Sequence, residues 1–385
     1  MSKTNYKRLG DYIREVDVRN RDLKVTKLLG LSMTKQFRPS TSNIVGVDLS
    51  KYKVVDKNVF AFDPMSVIRV HKVPIALNSD NLPIIVSPAY ITFKSIDENI
   101  LDARYLMMWF RRNEFDRYAD FKSDASVRGG YNWNELCETQ IILPSIDLQR
   151  KIVAEYNAIQ QRIKLNEQLI VKLEETAQAI YRKMFVDGID KNNLPEGWRM
   201  GTLGEFGDII TGKTPSSDNP EDFGDDMLFI TPGDFAVGSK FILNTERHLS
   251  AIGCERLKNK ILPKGSVAVT CIGSDMGKVA IVFEPSITNQ QINAIKVKEN
   301  IYIDYLFYYL SSIKNELKAM ALGSSTMPLL NKSDFEDINI IIPHYPCLNE
   351  FSKIMSKINK LSLCAIREIY KLIEIQFLLL TNMEG

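Results

Sequence analysis

The sequence has few cysteines and few histidines. Its 385 residues include five cysteines and three histidines. No two cysteines form a CxxC pair, and they are scattered as Cys137, Cys254, Cys271, Cys347 and Cys364. This usage argues against a disulfide framework or a zinc site and is typical of reduced thiols in a cytosolic protein. The histidines (His71, His248 and His344) lie far apart, so we expect no metal site.

Long apolar runs are also absent. No stretch approaches the ~18–20 residues that span a bilayer. The N-terminal segment Met1–Arg21 is polar and charged, unlike a signal peptide. We therefore expect a cytoplasmic protein without a membrane partner.

Most catalytic motifs are missing. The sequence contains no HExxH, GxSxG or GxGxxG, and it lacks the Asn/Asp-Pro-Pro-aromatic tetrad of amino-methyltransferases. An enzyme of this length would normally show at least one such pattern, so we expect a chain that is not itself an enzyme.

One apparent exception is a letter-for-letter match to the phosphate-binding P-loop in Gly207–Thr214. That mechanism needs a helix whose N-terminal amides hold the phosphates. Here Pro215 follows Thr214 at once, which disfavours the α region at Thr214, and Pro220 would end a first turn. The segment is better interpreted as a strand that ends in a glycine turn, or as an exposed turn that touches a nucleic-acid backbone. A P-loop NTPase remains an alternative.

What the sequence does contain is a repeat. Three segments return in the same order: Tyr6–Ile13 in Trp198–Phe206, Asp102–Leu106 in Asp304–Leu306, and Asn132–Pro144 in Asn331–Pro343. A period of about 200 residues is far longer than that of a solenoid, whose units have about 20–50 residues. It indicates a duplicated module, arranged with pseudo-twofold symmetry.

Each copy ends in a long heptad pattern, in which apolar residues recur in alternating steps of three and four. The first runs through Ile152, Tyr156, Ile159, Ile163, Asn166, Ile170, Leu173, Ala177, Ile180 and Met184. The second runs through Phe351, Ile354, Ile358, Leu361, Ala365, Glu368, Leu372, Ile375 and Leu379. A lone stripe of this kind packs against its own domain, whereas two matched stripes favour a mutual antiparallel coiled coil.

Full antiparallel pairing would put Ile152 beside Leu379 and Met184 beside Phe351. The two polar breaks, Asn166 and Glu368, would then lie within one helical turn of each other. A lone polar residue in an apolar seam can fix register when its partner is also polar. The alternative is that each points outward, to a docked subunit or to solvent.

The remaining segments predict two mixed heads with short strands and one amphipathic helix each. The fold class is α+β: two similar target-binding domains joined by two long helices. We predict a first head at 1–144, a first spacer helix at 145–187, a second head at 188–343 and a second spacer helix at 344–385.

Charge differs between the heads although the net charge is only +2. Residues 1–146 carry 22 Lys and Arg against 17 Asp and Glu, whereas residues 195–343 carry 14 against 19. If both heads bind one polyanion, the second must use a local basic patch.

Several motifs together resemble the specificity (S) subunit of Type I restriction-modification systems, and the resemblance covers essentially the whole chain. The residues that carry it are Leu194–Trp198, Leu203–Glu205, Gly212–Ser216, Phe229–Asp234 and Thr288–Gln291, with Ser87–Tyr90 in the first half and the helix entries at Pro144 and Pro343. The first half departs from the pattern, because it lacks the LPxGW opening and the GxTP turn.

The resemblance implies a non-catalytic DNA-recognition subunit. Each head would read one half of a bipartite site in double-stranded DNA, and the helices would space the heads and dock two methyltransferase (M) subunits. Motor-nuclease (R) subunits would join for cleavage. S-adenosylmethionine, ATP and magnesium would belong to those partners, with no cofactor in this chain. A coiled-coil scaffold whose heads bind proteins is the alternative from another class.

DNA contacts need Arg, Lys, Asn or Gln at base edges, and Lys, Arg, Ser, Thr or amides at phosphates. The first-head candidates are Lys35, Gln36, Arg38, Arg69, Lys72, Ser87, Tyr90, Lys122 and Arg128. The second-head candidates are Lys213, Thr214, Lys240, Arg247, Lys278, Asn289, Gln290, Gln291, Ser324, Ser325 and Thr326. Tyr90 could equally belong to the core.

Overall fold

Two units make up the structure, a computed structural model that describes residues 6–40, 46–124, 131–216, 218–235, 239–273, 276–322 and 329–384. Unit 1 runs up to Asn166 and resumes at Arg367, and unit 2 is Glu167–Ile366. Each unit therefore contains one head and a part of each long helix. The domain boundaries predicted above separate heads from helices and remain a prediction.

Unit 1 is built on a four-stranded antiparallel sheet. Its strands are β1 (Tyr6–Arg8), β2 (Ile13–Glu15), β3 (Leu29–Leu31), β4 (Phe37–Pro39), β5 (Lys53–Val55), β6 (Phe60–Phe62), β7 (Ile75–Leu77), β8 (Ile84–Val86), β9 (Ile91–Ser95) and β10 (Gln140–Ile142). Its helices are α1 (Val67–Val70), α2 (Ala103–Phe110), α3 (Asn113–Asp124), α4 (Trp133–Cys137) and the first part of α5 (Ile146–Phe185). The sheet order is β2-β9-β6-β7, with pairs β1–β10, β3–β4 and β5–β8 beside it. Stacked Phe60 and Phe93, with centroids 4.8 Å apart, form the core under α2.

Unit 2 repeats this plan with additions. Its strands are β11 (Arg199–Thr202), β12 (Gly207–Thr211), β13 (Phe223–Ile230), β14 (Phe241–Ile242), β15 (Arg247–Leu249), β16 (Val267–Thr270), β17 (Val279–Val282), β18 (Ser286–Thr288), β19 (Ile292–Val297) and β20 (Asn339–Ile342). Its helices are α6 (Ala251–Arg256), α7 (Ile303–Ser312), α8 (Lys314–Leu322), α9 (Lys332–Glu336) and most of α10 (Tyr345–Thr381). The main sheet is β12-β19-β16-β17-β14, and a second sheet is β15-β13-β18.

The predicted duplication is confirmed by topology. The order β2-β9-β6-β7 in unit 1 matches β12-β19-β16-β17 in unit 2, and β1–β10 matches β11–β20. Repeated residues also make the same bonds: Tyr105 donates its hydroxyl to the Ile142 carbonyl, and Tyr305 donates to Ile341. Asn132 and Asn331 each cap the helix that follows. The mixed α+β fold class is thus correct.

The long helices run antiparallel in each unit. In unit 1, Val153 and Tyr156 of α5 share an apolar cluster with Met383, and Ile152, Leu379 and Leu380 pack against it. In unit 2, the rings of Phe185 and Phe351 meet with centroids 5.0 Å apart. Residue numbers increase along α5 in the direction in which they decrease along α10, so the helices are antiparallel, as the heptad patterns predict. Gly188 follows α5 with φ +78°, the left-handed conformation common at helix C-termini.

The seam of α10 differs from the predicted one at two positions. Leu361 is 54% exposed and Ile375 is 49% exposed, so placing these two residues in the seam was wrong. The residues that follow them, Ser362 and Gln376, are half-buried instead. A heptad pattern favours apolar residues, so the predicted seam included Leu361 and Ile375, each one position before the half-buried residue. On α5, by contrast, all the predicted positions are buried or half-buried.

The predicted neighbourhood of Asn166 and Glu368 is present in unit 1. Asn166 is buried, and it lies one turn beyond Arg162, whose guanidinium binds the Glu368 carboxylate at 2.7 Å. A hydrogen bond from Arg162, and to a smaller extent a contact with Asn166, lowers the pKa of the Glu368 carboxyl. The Asn166 Nδ2 itself makes no hydrogen bond of regular geometry within the described residues. Arg162 therefore makes the regular ion pair with Glu368, and Asn166 contributes a weaker contact to the same carboxylate.

Candidate nucleic-acid interface

Two polar loops of unit 2 lie against each other at one edge of the main sheet. One is Gly212–Pro215, which follows β12, and the other is Asn289–Gln291, which connects β18 to β19. The Lys213 amide donates to the Thr288 carbonyl at 2.9 Å, and the Thr214 hydroxyl donates to Gln290 Oε1 at 2.5 Å. Five of the predicted contact residues are thus brought together, and the Lys213 and Gln290 side chains are exposed.

Gly212 permits this close approach. A Cβ at this position would lie 2.2 Å from the carbonyl oxygens of both Thr288 and Asn289. Any side chain would therefore push the two loops apart. The glycine of the apparent P-loop is explained by packing rather than by phosphate binding.

The P-loop alternative is wrong for the same segment. After β12 the chain turns, and no helix begins at Gly212–Thr214; the next helical element is a single 3₁₀ turn at Pro220–Asp222. The Lys213 amide, which would face a phosphate in a P-loop, is bonded to Thr288 instead. The absence of a helix at Gly212–Thr214 agrees with the prediction from Pro215.

Arg247 lies in the neighbouring sheet of unit 2. Its guanidinium stacks over the rings of Phe223 at 4.0 Å and Phe229 at 5.7 Å, and the residue remains exposed. β13 connects Arg247 to the strand that leads into Asn289, since Phe229 pairs with both Arg247 and Ile287. Stacking limits the motion of the planar donor, which suits it to a bidentate contact with guanine or phosphate.

In unit 1 the corresponding loop connects β8 to β9. The Ser87 hydroxyl accepts from the Ala89 amide at 3.2 Å, just as Asn289 Oδ1 accepts from the Gln291 amide at 3.0 Å. Both repeats therefore begin this loop with a side chain that binds the amide two residues later. Tyr90 is half-buried against the cluster of Leu31 and Phe37, and burial raises its pKa.

The hairpin β3–β4 presents two further candidates next to this loop. Gln36 and Arg38 are exposed, and Arg38 Nε donates to the Leu31 carbonyl at 3.1 Å. Tyr90 is close enough to Arg38 for the charge to affect its pKa. Ser87, Tyr90, Gln36 and Arg38 thus form a second polar surface, the counterpart of the loops in unit 2.

Three of the predicted contacts are buried. Asn289 is 9% exposed, and its side chain bonds to Gln291 within its own loop. The other two, Lys35 and Lys240, are corrected by burial and ion pairing. Lys35 is only 5% exposed, with Nζ 2.6 Å from Asp116, and desolvation lowers its pKa. Lys240 is 8% exposed, with Nζ 2.6 Å from Asp304. Both ammonium groups serve buried ion pairs, so neither is available to DNA. In the sequence they could not be distinguished from surface lysines.

The other candidates are dispersed. Lys72 and Lys122 are exposed in unit 1, Lys122 over the Tyr118 ring, and Lys278 is half-buried at the start of β17. Arg128, Ser324, Ser325 and Thr326 lie outside the described residues, as does the side chain of Arg69 in α1. For these, the predicted role remains a prediction.

Lys27 is exposed near this loop of unit 1 but was not among the predicted DNA contacts. The Lys27 carbonyl accepts from the Ile85 amide at 2.9 Å, which places this lysine beside the strand that leads into Ser87. The available signal was a basic residue directly before a hairpin. Ser216 follows Pro215 in the unit 2 loop and is also exposed, and it too was not among the predicted contacts.

Comparison with known proteins agrees with this architecture. Residues 195–374 match the Type I restriction modification DNA specificity domain. The chain is 36% identical over 217 residues to the HindI specificity subunit of Haemophilus influenzae, covering 55% of this chain and 47% of that one. It is 30% identical over 167 residues to the MjaIX specificity subunit of Methanocaldococcus jannaschii, covering 43% and 38%. These matches span less than half of each relative.

A solved structure resembles the whole chain. The Type I restriction-modification S subunit from M. genitalium covers 100% of this chain and 97% of its own, with a TM-score of 0.60 and 13% identity. At that identity the likeness concerns the fold. The resemblance identified in the sequence is confirmed: residues 195–374 match the Type I restriction modification DNA specificity domain, and the chain has the fold of a Type I specificity subunit.

Proposed function

We propose that this chain is the sequence-specific DNA-recognition subunit of a Type I restriction-modification complex. Each head reads one half of a bipartite site in double-stranded DNA. The observation that carries the proposal is the repeated polar loop. Ser87–Tyr90 and Asn289–Gln291 lead into the equivalent strands β9 and β19, use the same side-chain-to-amide bond, and lie beside exposed polar or basic groups.

The chemistry of these loops suits base and phosphate contacts. Gln36 and Gln290 offer the amide that pairs with adenine, and Arg38 and Arg247 offer the fork that pairs with guanine. Lys213 adds a charge for the backbone. The acidic balance of the second head makes this local grouping more important there, because overall charge does not attract DNA.

The helices are proposed to space the heads and to dock the methyltransferase subunits. On the part of α10 in unit 1, Tyr370, Ile373 and Phe377 are 57%, 49% and 55% exposed. At spacings of three and four residues they share one face of the helix. Exposed apolar groups in a row are typical of protein interaction sites, so this face fits a partner helix better than it fits water.

Chemistry is assigned to the partners. We expect the chain alone to show no methyl transfer, cleavage or ATP turnover. S-adenosylmethionine would bind to the two M subunits, and ATP and magnesium would serve R subunits where cleavage occurs. No described helix has both the length and the apolar character required to cross a membrane.

The test is to express the chain with its methyltransferase partner in a host free of adenine methylation, and to sequence the methylome. A bipartite motif with a fixed gap is expected. Exchange of residues 1–143 for another such head should change one half of the motif and leave the other unchanged. If both halves changed together, the heads would not be independent readers. If no methylation occurred and the purified chain with its methyltransferase partner did not bind DNA, the protein-binding scaffold would be favoured.

A further inference from the structure

A buried ammonium group lies where the second head meets the long helices. Lys240 directly precedes β14 and is only 8% exposed. Its Nζ lies 2.6 Å from Asp304 Oδ1 and donates to the Tyr308 hydroxyl at 3.2 Å, and both of these residues are on α7. Nζ also donates to Asn359 Oδ1 on α10 at 3.0 Å. An ammonium has three N–H donors, so the donors of Lys240 match these three acceptors.

The hydrogen bonds continue to the other long helix. The Tyr308 hydroxyl, which accepts from Lys240, donates to Glu174 Oε2 on α5 at 3.1 Å. Asn359 Nδ2 donates to Asp304 Oδ1 at 2.9 Å, which closes the network on the side of α10. These five residues, which we call the head junction, therefore join the start of β14 and helix α7 to both α5 and α10. All of them belong to unit 2.

Apolar packing also attaches the head to the helices, but it does not fix a direction. The rings of Tyr181 on α5 and Phe351 on α10 meet the Tyr308 ring with centroids 5.6 and 6.2 Å apart. Apolar attraction is non-directional, whereas a hydrogen bond weakens steeply when its donor and acceptor are misaligned. The head junction therefore supplies the direction that the rings do not.

A buried ion pair is a costly way to gain stability alone. Taking Lys240 and Asp304 out of water is unfavourable, and well-packed apolar side chains of similar volume often stabilise a fold as well or better. Buried polar groups can instead select one geometry at a cost in stability. The buried pair of unit 1, Lys35 with Asp116, joins a hairpin to α3. The pair in unit 2 differs in that its network reaches both long helices, which points to orientation of the head as its role.

We propose that Lys240 is a positioning residue, which holds the second head in one orientation on α5 and α10 and thereby limits the gap between half-sites that is accepted. The inference rests on the proposed function. One base pair more or less in the gap moves a half-site by about 3.4 Å and rotates it by about 35° around the duplex axis. A head in a fixed orientation does not follow that rotation, whereas a head that turns on its helices does.

The test measures methylation of three duplexes by the full chain with its methyltransferase partner. Their gaps are the one that the unaltered chain prefers, one base pair less and one base pair more. The double variant Lys240→Met with Asp304→Asn removes both charges and keeps an acceptor for Asn359, so the melting temperature should stay close to that of the unaltered chain. Its methylation rate on the two altered gaps, relative to the preferred gap, should rise at least about tenfold, which corresponds to one hydrogen bond to a charged group.

Two further variants make the comparison specific. Lys35→Met with Asp116→Asn is the matched control, because it removes the same two charges from a buried pair of the first head, and its gap preference should equal that of the unaltered chain. Asn359→Leu changes a half-buried position and keeps the Lys240–Asp304 pair, while it removes the bond to α10. It should relax the gap preference in the same direction, and it decides the question if the double variant does not fold.

Three results would overturn the proposal. One is an unchanged gap preference in the folded variants of the head junction. Another is an equal loss of methylation on all three gaps, which a purely structural role predicts. The third is a change in the bases read in the second half-site, which would show that Lys240 acts within the head. Failure of the proposed function looks different, because the unaltered chain would then show no bipartite motif.

Discussion

Arg162 and Glu368 form a two-point ion pair across the helices of unit 1, with Nε–Oε1 at 2.7 Å and Nη2–Oε2 at 3.1 Å. The two residues are 206 positions apart in the chain, so the contact reports the register of α5 against α10 directly. A shift by one heptad would separate them by about 10 Å. Buried Asn166, one turn further along α5, lies on the same side of the pairing.

Replacing Glu368 by Gln should remove a pH-dependent part of the stability. The Arg162 hydrogen bond holds the pKa of Glu368 below its usual 4.5. A depressed carboxyl pKa stabilises the fold above the unfolded pKa, and that contribution is lost as pH falls through the folded pKa. The difference in urea midpoint between the unaltered chain and Glu368→Gln should thus shrink below about pH 4.5. A constant difference across pH would contradict the ion pair, and Glu374→Gln serves as control.

Asn166→Leu should stabilise the chain by about 1–2 kcal/mol in chemical denaturation, because the buried Asn166 amide makes no hydrogen bond of regular geometry within the described residues. The same change at exposed Asn157 should have little effect. A clear loss of stability in Asn166→Leu would show that the amide is satisfied in solution and holds the register.

The corrected seam of α10 can be tested with two glutamines. Leu361→Gln should change the free energy of unfolding by less than about 0.5 kcal/mol, since the side chain is 54% exposed. Ala365→Gln should cost about 2–3 kcal/mol, because Ala365 is only 3% exposed and the amide would be forced into the seam. A larger cost for Leu361→Gln than for Ala365→Gln would return Leu361 to the seam.

Gly212→Ala should separate the two loops of the second head. The new Cβ meets two carbonyl oxygens at 2.2 Å, so we expect a loss of about 1–3 kcal/mol in stability. DNA affinity should fall at least about tenfold, because the two loops that carry exposed Lys213 and Gln290 are displaced together. Gly233→Ala is the matched control, since its nearest neighbour would be 3.7 Å away. Equal DNA affinity for both variants, measured by fluorescence anisotropy, would remove these loops from the interface.

The exposed face of α10 should be needed for assembly but not for folding. Phe377→Asp places a charge at a 55% exposed position, so the melting temperature should hardly change. Co-purification with the methyltransferase subunit should fall sharply, because an unpaired carboxylate would be buried in the interface. Glu374→Asp, on the same helix, is the control. Retained co-purification of Phe377→Asp would place the docking surface elsewhere.

The sequence predicted the large features because they repeat. The duplicated segments, the two heptad patterns and the proline after Thr214 each act over many residues or through backbone geometry. Antiparallel pairing and the failure of the P-loop follow from them. The seam residues of α5 were easier to predict than those of α10, because the seam of α5 contains one polar residue. In α10 polar Ser362 and Gln376 are half-buried while Leu361 is exposed.

Individual contacts were harder, because they depend on which side chain the fold buries. Lys35 occupies a hairpin turn with φ +59°, and this conformation accompanies its burial beside Asp116 rather than exposure on the surface. Lys240 is paired with Asp304, which is distant in sequence. No periodicity marks such long-range ion pairs. Lys27 was missed for the converse reason, since only strand pairing brings it next to Ser87.

The interrupted chain path of unit 1 has a consequence for synthesis. Its first head is made first, but the apolar cluster around Val153 and Tyr156 is completed by Leu379, Leu380 and Met383. Between them the ribosome must make all of unit 2, Glu167–Ile366. At ~5–20 residues per second this takes on the order of 10–40 s. The inserted unit is therefore able to fold before the outer one closes, and the nascent helix flank stays uncovered during that interval. The translation speed through unit 2, more than the sequence of head 1, therefore determines how long this apolar flank is available to chaperones.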